Sequence, residues 1–122
     1  MFKTVLLFGL LLIGQAVAAP PAPGSEDGAI MEGHEDWIEN QETQNGSLCC
    51  SLADGRPLFD NEIRQRDGHW QVFYAKSHWD QGTDQWLDVP PNAVLPNMSP
   101  VGFPIVWIYY GVVRCLALAG AV

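Results

Sequence analysis

The chain is 122 residues long, 48% apolar, 11% aromatic and 16% charged, and its 14 acidic side chains against 6 basic ones leave a net charge of −8. Apolar content near one half excludes a wholly disordered chain, and the length holds one small domain. The acidic balance excludes nucleic acid as a main partner, because neutralising a phosphate backbone takes clustered Lys and Arg.

Residues 1–20 read MFKTVLLFGLLLIGQAVAAP, with an early cation at Lys3, an apolar stretch from Val5 to Ile13 and small residues at Ala16-Val17-Ala18. This is the pattern of a secretory signal peptide over residues 1–18, cleaved after Ala18. Its apolar core falls short of the roughly 20 residues that cross a bilayer, which disfavours the alternative of an uncleaved anchor. Cleavage removes Lys3 and no acid, so the exported chain is more acidic still. That acidity belongs to one segment: Glu26, Asp27, Glu32, Glu35, Asp36, Glu39 and Glu42 stand there without a single base.

Residues 19–32 open with Ala19-Pro20-Pro21-Ala22-Pro23-Gly24-Ser25, and their prolines and sparse apolar groups predict a flexible acidic leader. Residues 33–44 predict a short helix, with acids toward its N-terminal end and Trp37 and Ile38 as docking side chains. The acid block reads as a solvated face; recruitment of a basic partner or Ca²⁺ is the sharper alternative.

From residue 45 to 122 the texture becomes short β-like runs between turn residues. A strand is expected near Arg56 to Ile63. Asp67-Gly68 then leads into His69 to Lys76, where Trp70, Val72 and Tyr74 share one face and His69, Gln71, Phe73 and Ala75 the other. Gln85 to Val89 is a further strand, stopped by Pro90-Pro91 because proline offers no amide to a ladder. Asn92 to Leu95 predicts a turn and Pro96 to Pro104 a loop. Ile105 to Tyr110 and Val112 to Leu118 then make two strands hinged near Gly111. The expected fold is mainly β, a small antiparallel barrel or curled sheet of five to six short strands with a short N-terminal helix.

Residues 105–122 carry Arg114 as their only charge and could be read as a membrane-anchoring tail. A cation near the middle of a span costs about 2.5–3.5 kcal/mol, and Trp107, Tyr109 and Tyr110 suit a pleated surface, so strands and no membrane span are expected.

The 3 cysteines are Cys49, Cys50 and Cys115. In an oxidising compartment a link from Cys49 or Cys50 to Cys115 closes a long loop, worth roughly 4 kcal/mol on a chain-entropy estimate. Cys50 is the preferred partner and Cys49 the alternative. The odd thiol lacks a Cys-x-x-Cys context and an identifiable base, so burial or intermolecular pairing is expected of it.

Several stretches together carry a resemblance: Cys49-Cys50-Ser51-Leu52-Ala53-Asp54-Gly55-Arg56-Pro57, Arg66-Asp67-Gly68-His69-Trp70, Trp86 to Leu95, Pro100-Val101-Gly102 with Val106-Trp107, and Arg114-Cys115. Over residues 48–118 the chain resembles an uncharacterised family of small secreted bacterial and phage-encoded proteins. The resemblance implies export, the β fold and the link to Cys115, and it implies no activity. Many relatives carry a further Cys where this chain has Gly55, so a scheme with two disulfides does not carry over.

No Gly-x-Ser-x-Gly, His-Glu-x-x-His, phosphate-cradling glycine loop or calcium-loop spacing occurs. The residual chemical candidates are His69, His78 and Asp80, which strand and loop could gather into a Zn²⁺ site or a general base. Asn45-Gly46-Ser47 matches a glycosylation acceptor. Trp70, Trp79, Trp86, Trp107 and Tyr74 are expected chiefly in the core; Trp79, flanked by His78 and Asp80, is the ring expected at the surface, with core or loop anchor as its plainer role and stacking on a sugar or anchoring a protein contact as the sharper alternative.

The function expected from the sequence is an exported, secreted or periplasmic β domain, a non-catalytic binding or envelope-associated module with no cofactor. Its partner would be an envelope or extracellular protein or glycan. The alternatives are a small metal-dependent or general-base enzyme using His69, His78 and Asp80, and an envelope protein anchored through residues 105–122.

Overall fold

The computed structural model describes residues 25–49 and 54–120, so the expectations for the signal peptide, for residues 19–24 and for the fate of Cys50 lie outside the described residues. Ser25 caps the first helix, α1 (Glu26–Met31), its side chain accepting the Gly28 N–H at 3.0 Å, and Glu26 and Asp27 occupy the first turn, where carboxylates oppose the helix dipole. Helix α2 (Glu35–Glu39) follows within the expected helical segment. Met31 and Ile38 are buried, so residues 26–31 are docked secondary structure where the composition had predicted a flexible leader.

Six strands form two antiparallel three-stranded sheets. One orders β1 (Gly55–Pro57), β5 (Ile105–Tyr109) and β6 (Val112–Ala117), with β5 central. The other orders β2 (Ile63–Arg66), β3 (His69–Tyr74) and β4 (Gln85–Asp88), with β3 central. The fold is therefore mainly β, as expected, in the open curled form; the sheets do not close into a barrel. The single strand expected near Arg56 to Ile63 is two strands in different sheets. Pro57 has no amide to extend β1, and a 3₁₀ turn at Asp60–Glu62, with the Glu62 carboxylate accepting the Phe59 N–H at 2.8 Å, carries the chain across.

The two tight β-hairpins turn through paired left-handed residues. Asp67 (φ 52°) and Gly68 (φ 78°) join β2 to β3, and Tyr110 (φ 45°) and Gly111 (φ 74°) join β5 to β6. Positive φ at both central positions is the type I′ geometry whose twist matches that of the flanking strands.

The sheets pack face to face over Leu58, Val72, Tyr74, Val89, Val106, Ile108, Val113 and Leu116. Between Trp107 and Ile108 the pairing of β5 with β6 slips by one residue, Trp107 facing Cys115 and Ile108 facing Val113. Arg114 is the extra residue, and this bulge turns Val113 into the inter-sheet core where strict alternation from Leu116 would have turned it away. The opposite face of β5 and β6 presents Ile105, Trp107, Cys115 and Ala117, which pack with Met31, Ile38, Cys49 and Leu95 in a second core. Leu95 and Ser99 donate their N–H groups to the Leu116 and Leu118 carbonyls, both at 2.8 Å, and so cover the outer edge of β6. Residues 105–117 are strands apart from the tight turn, and among the described residues no helix is long and apolar enough to cross a membrane.

The disulfide joins Cys49 to Cys115, Cα atoms 5.8 Å apart and both residues fully buried. This corrects the preference for Cys50. Cys49 donates its N–H to the Gln41 carbonyl at 2.9 Å, on the returning arm of a turn closed by the Glu42–Leu48 bridge, and that orients its side chain toward β6. Removing the bridge should cost about 2–5 kcal/mol. In urea titrations Cys49→Ser should lose that stability and Cys50→Ser should not; the reverse order would contradict the pairing.

Candidate functional site

The structure does not bring His69, His78 and Asp80 together. His69 is exposed at the start of β3, Asp80 is exposed on the loop after it, and the His78 side chain is only 4% exposed. Trp79, expected at the surface, is buried in the inter-sheet core, its ring 5.4 Å edge-on from Tyr74 and 5.5 Å from His78. The connection from Ala75 to Asp84 is wound by its own backbone, and that winding drives His78 and Trp79 inward. The Ala75 carbonyl accepts from His78 and Trp79, Gly82 donates back to Trp79, and Thr83 and Asp84 donate to Tyr74. Gly82 makes this closure possible, since a Cβ there would lie 2.5 Å from the Ala75 oxygen.

His78 is clamped between two carboxylates. Its Nδ1 lies 2.6 Å from Asp27 Oδ2 on α1 and its Nε2 lies 2.9 Å from Glu62 Oε1 on the 3₁₀ turn, while the Phe59 and Trp79 rings pack beside it. The hydrogen bond to Asp27 holds the imidazole above its ordinary value, with Glu62 reinforcing it and burial acting against both. An imidazolium donates to both acids at once; a neutral imidazole would turn a lone pair on one of them. With both nitrogens engaged, His78 is not available as a metal ligand or general base. Among the described residues no group of three or more His, Cys, Asp or Glu is arranged to hold a metal ion.

Elsewhere, burial raises the Asp54 carboxyl against the lowering influence of Arg56, and among the described residues its Oδ2 has no hydrogen-bond partner. The Tyr74 phenol is also raised by burial, and a Gly111 backbone hydrogen bond partly offsets this, linking β3 to the tip of the β5–β6 hairpin.

The strongest surface arrangement lies on the outer face of β2–β3–β4. Register places Arg64, Gln71 and Asp88 in one row across the three strands, with Phe73 and Trp86 paired two residues further along. Arg64 Nε donates to Gln71 Oε1 at 2.8 Å and Gln71 Nε2 donates to Asp88 Oδ1 at 2.7 Å. The Arg64 guanidinium sits 3.9 Å from the Trp86 ring centre, a cation–π contact, and Phe73 packs against the same ring at 5.4 Å. Beside these rings opens a groove of about 480 Å³ lined by Asn61, Glu62, Phe73, Lys76, Ser77, Asp84 and Trp86. The loop tryptophan Trp79 is thus core, the plainer of its two expected roles and not the surface one, while the strand tryptophan Trp86, expected in the core, lines a surface groove. The strand alternation that set Gln71 and Phe73 opposite Val72 already carried the signal for this face.

No protein-family model matches the chain, and no curated protein and no solved structure matches it.

Two predictions follow from the buried loop. The folded-state value of His78 is raised above 6.5, so the clamp's stabilisation is fully present below that pH and is lost as pH rises through the folded value. Melting temperature should therefore fall as pH rises above 6.5 in the wild type and stay flatter in His78→Gln; parallel profiles would show that the clamp does not titrate. The Trp79 indole N–H is buried with no hydrogen-bond partner among the described residues. Trp79→Phe, which removes that orphaned donor, should cost less than about 1.5 kcal/mol in urea denaturation, against about 3–5 for Trp79→Ala.

Proposed function

We propose that the protein is an exported module, secreted or periplasmic, that binds an envelope or extracellular ligand and performs no chemistry of its own. The observation that carries this reading is the outer face of β2–β3–β4, where a hydrogen-bonded polar row adjoins two rings and a groove. Side chains already locked to one another lose little freedom when a ligand arrives, which favours binding. Catalysis finds less support: the sequence's three chemical candidates lie apart, and the one buried histidine is consumed by its two carboxylates. The disulfide fits an oxidising compartment, in keeping with the signal-peptide pattern of residues 1–18.

Co-sedimentation with washed envelopes of the producing cell tests the proposal. The oxidised wild type should pellet with the envelopes, and combined Arg64→Ala and Gln71→Ala should lower the bound fraction about tenfold without changing the melting transition by more than a few degrees. Val112→Ser, on an exposed residue of the other sheet, should bind like wild type. Equal pelleting of all three, or none by the wild type, would overturn the reading.

A further inference from the structure

Building on that binding-module reading, we infer that the groove beside Phe73 and Trp86 takes a neutral saccharide. Its volume of about 480 Å³ falls within the 300–1,000 Å³ usual for small-ligand sites. Two aromatic rings line one side, and the polar groups around them are an amide (Asn61), a hydroxyl (Ser77), an ammonium (Lys76) and a carboxylate (Asp84). A sugar is the ligand class that presents both kinds of surface at once. The C–H face of a pyranose packs on a ring, while its hydroxyls donate and accept alternately around the rim.

Charge balance argues against an ionic ligand. The groove's charged lining is mixed in sign, the Lys76 ammonium standing with the Glu62 and Asp84 carboxylates, and Glu62 is already engaged by His78. No cluster of one sign stands in that lining to select an anion or a cation. The rim is also pre-set: Asp84 Oδ1 accepts the Lys76 backbone N–H at 2.9 Å, which restricts that carboxylate, and Arg64 and Phe73 both pack against the Trp86 ring. A purely apolar ligand would strand these polar groups out of water, and leaving a buried donor or acceptor unpaired costs about 1–3 kcal/mol each.

Titration of the oxidised full chain with chitohexaose, cellohexaose and maltohexaose, and with polygalacturonate as the anionic comparison, tests the assignment. At least one neutral hexasaccharide should shift the amide resonances of Phe73, Lys76, Ser77 and Trp86 and alter tryptophan fluorescence, with an affinity nearly independent of salt. Affinity should fall about tenfold in Trp86→Ala and severalfold in Asn61→Ala, an exposed position whose truncation leaves the fold intact. Absence of any neutral-sugar response up to about 10 mM, a response to polygalacturonate alone that collapses with salt, or unchanged affinity in both variants would each overturn it. Envelope pelleting that persists undiminished in saturating neutral hexasaccharide would dispose of the saccharide and leave the binding module standing. Failure to pellet at all would remove the module itself.

Discussion

Strand β5 is apolar on both faces, and the rest of the molecule is arranged to cover it. Ile105, Val106 and Trp107 are wholly buried and Ile108 nearly so, and together with Leu116 and Cys115 of β6 they cannot be satisfied by one layer of packing. A strand with successive buried residues needs a cover on each side. The second sheet supplies one. Residues 25–49 supply the other, and without them Trp107, Ile105 and Ala117 would face water.

That second cover is too short to hold itself. Helices α1 and α2 span 6 and 5 residues, far below the length at which a helix is stable alone, so their order depends on what they are fastened to. They are fastened at both ends. Cys49 ties one end covalently to β6, and Asp27 ties the other to His78, a residue 51 positions along the chain. Between these anchors Met31, Ile38 and Trp37 settle on the sheet, the Trp37 ring 6.5 Å from that of Trp107. Gly55 on β1 belongs to the same packing, since a Cβ there would come within 2.9 Å of the Trp107 ring. This crowding suits glycine and leaves no room for a larger side chain without moving Trp107.

What could be read from the residues alone was whatever local sequence decides. The β3 alternation, the Asp67-Gly68 turn, the stop at Pro90-Pro91 and the hinge near Gly111 are all written within a few neighbouring residues, and each appears in the structure where the spacing placed it. What could not be read depends on contacts distant in sequence. The acidic leader looks unable to fold because its composition lacks apolar side chains; its residues 26–31 form a docked helix because Met31 and Asp27 meet partners the local pattern does not reveal. The division of the first strand hinges on whether Pro57 ends one ladder before Ile63 begins another. The placement of Trp79 and Trp86 has a similar origin. Polar neighbours in sequence suggested exposure for Trp79, but the tightly wound loop turns it inward, whereas the β4 register turns Trp86 outward.

The division of labour between the sheets explains why the candidate site lies where it does. The sheet of β1, β5 and β6 commits both faces to cores, and its large exposed side chains, Tyr110 and Val112, stand at the hairpin turn. The sheet of β2, β3 and β4 commits only one, through Ile63, Val72, Tyr74 and Leu87, and its other face is free to carry polar and aromatic groups. Because β3 is central there, its outward residues Gln71 and Phe73 each have a neighbour on β4, and Gln71 one on β2 as well. Cross-strand pairs of this kind contribute about 0.2–1 kcal/mol each and restrict the side chains that make them. Glu62 joins the two systems: its carboxylate closes the turn into β2, anchors His78 and lines the groove. The same few atoms therefore hold the N-terminal cover in place and shape one wall of the groove.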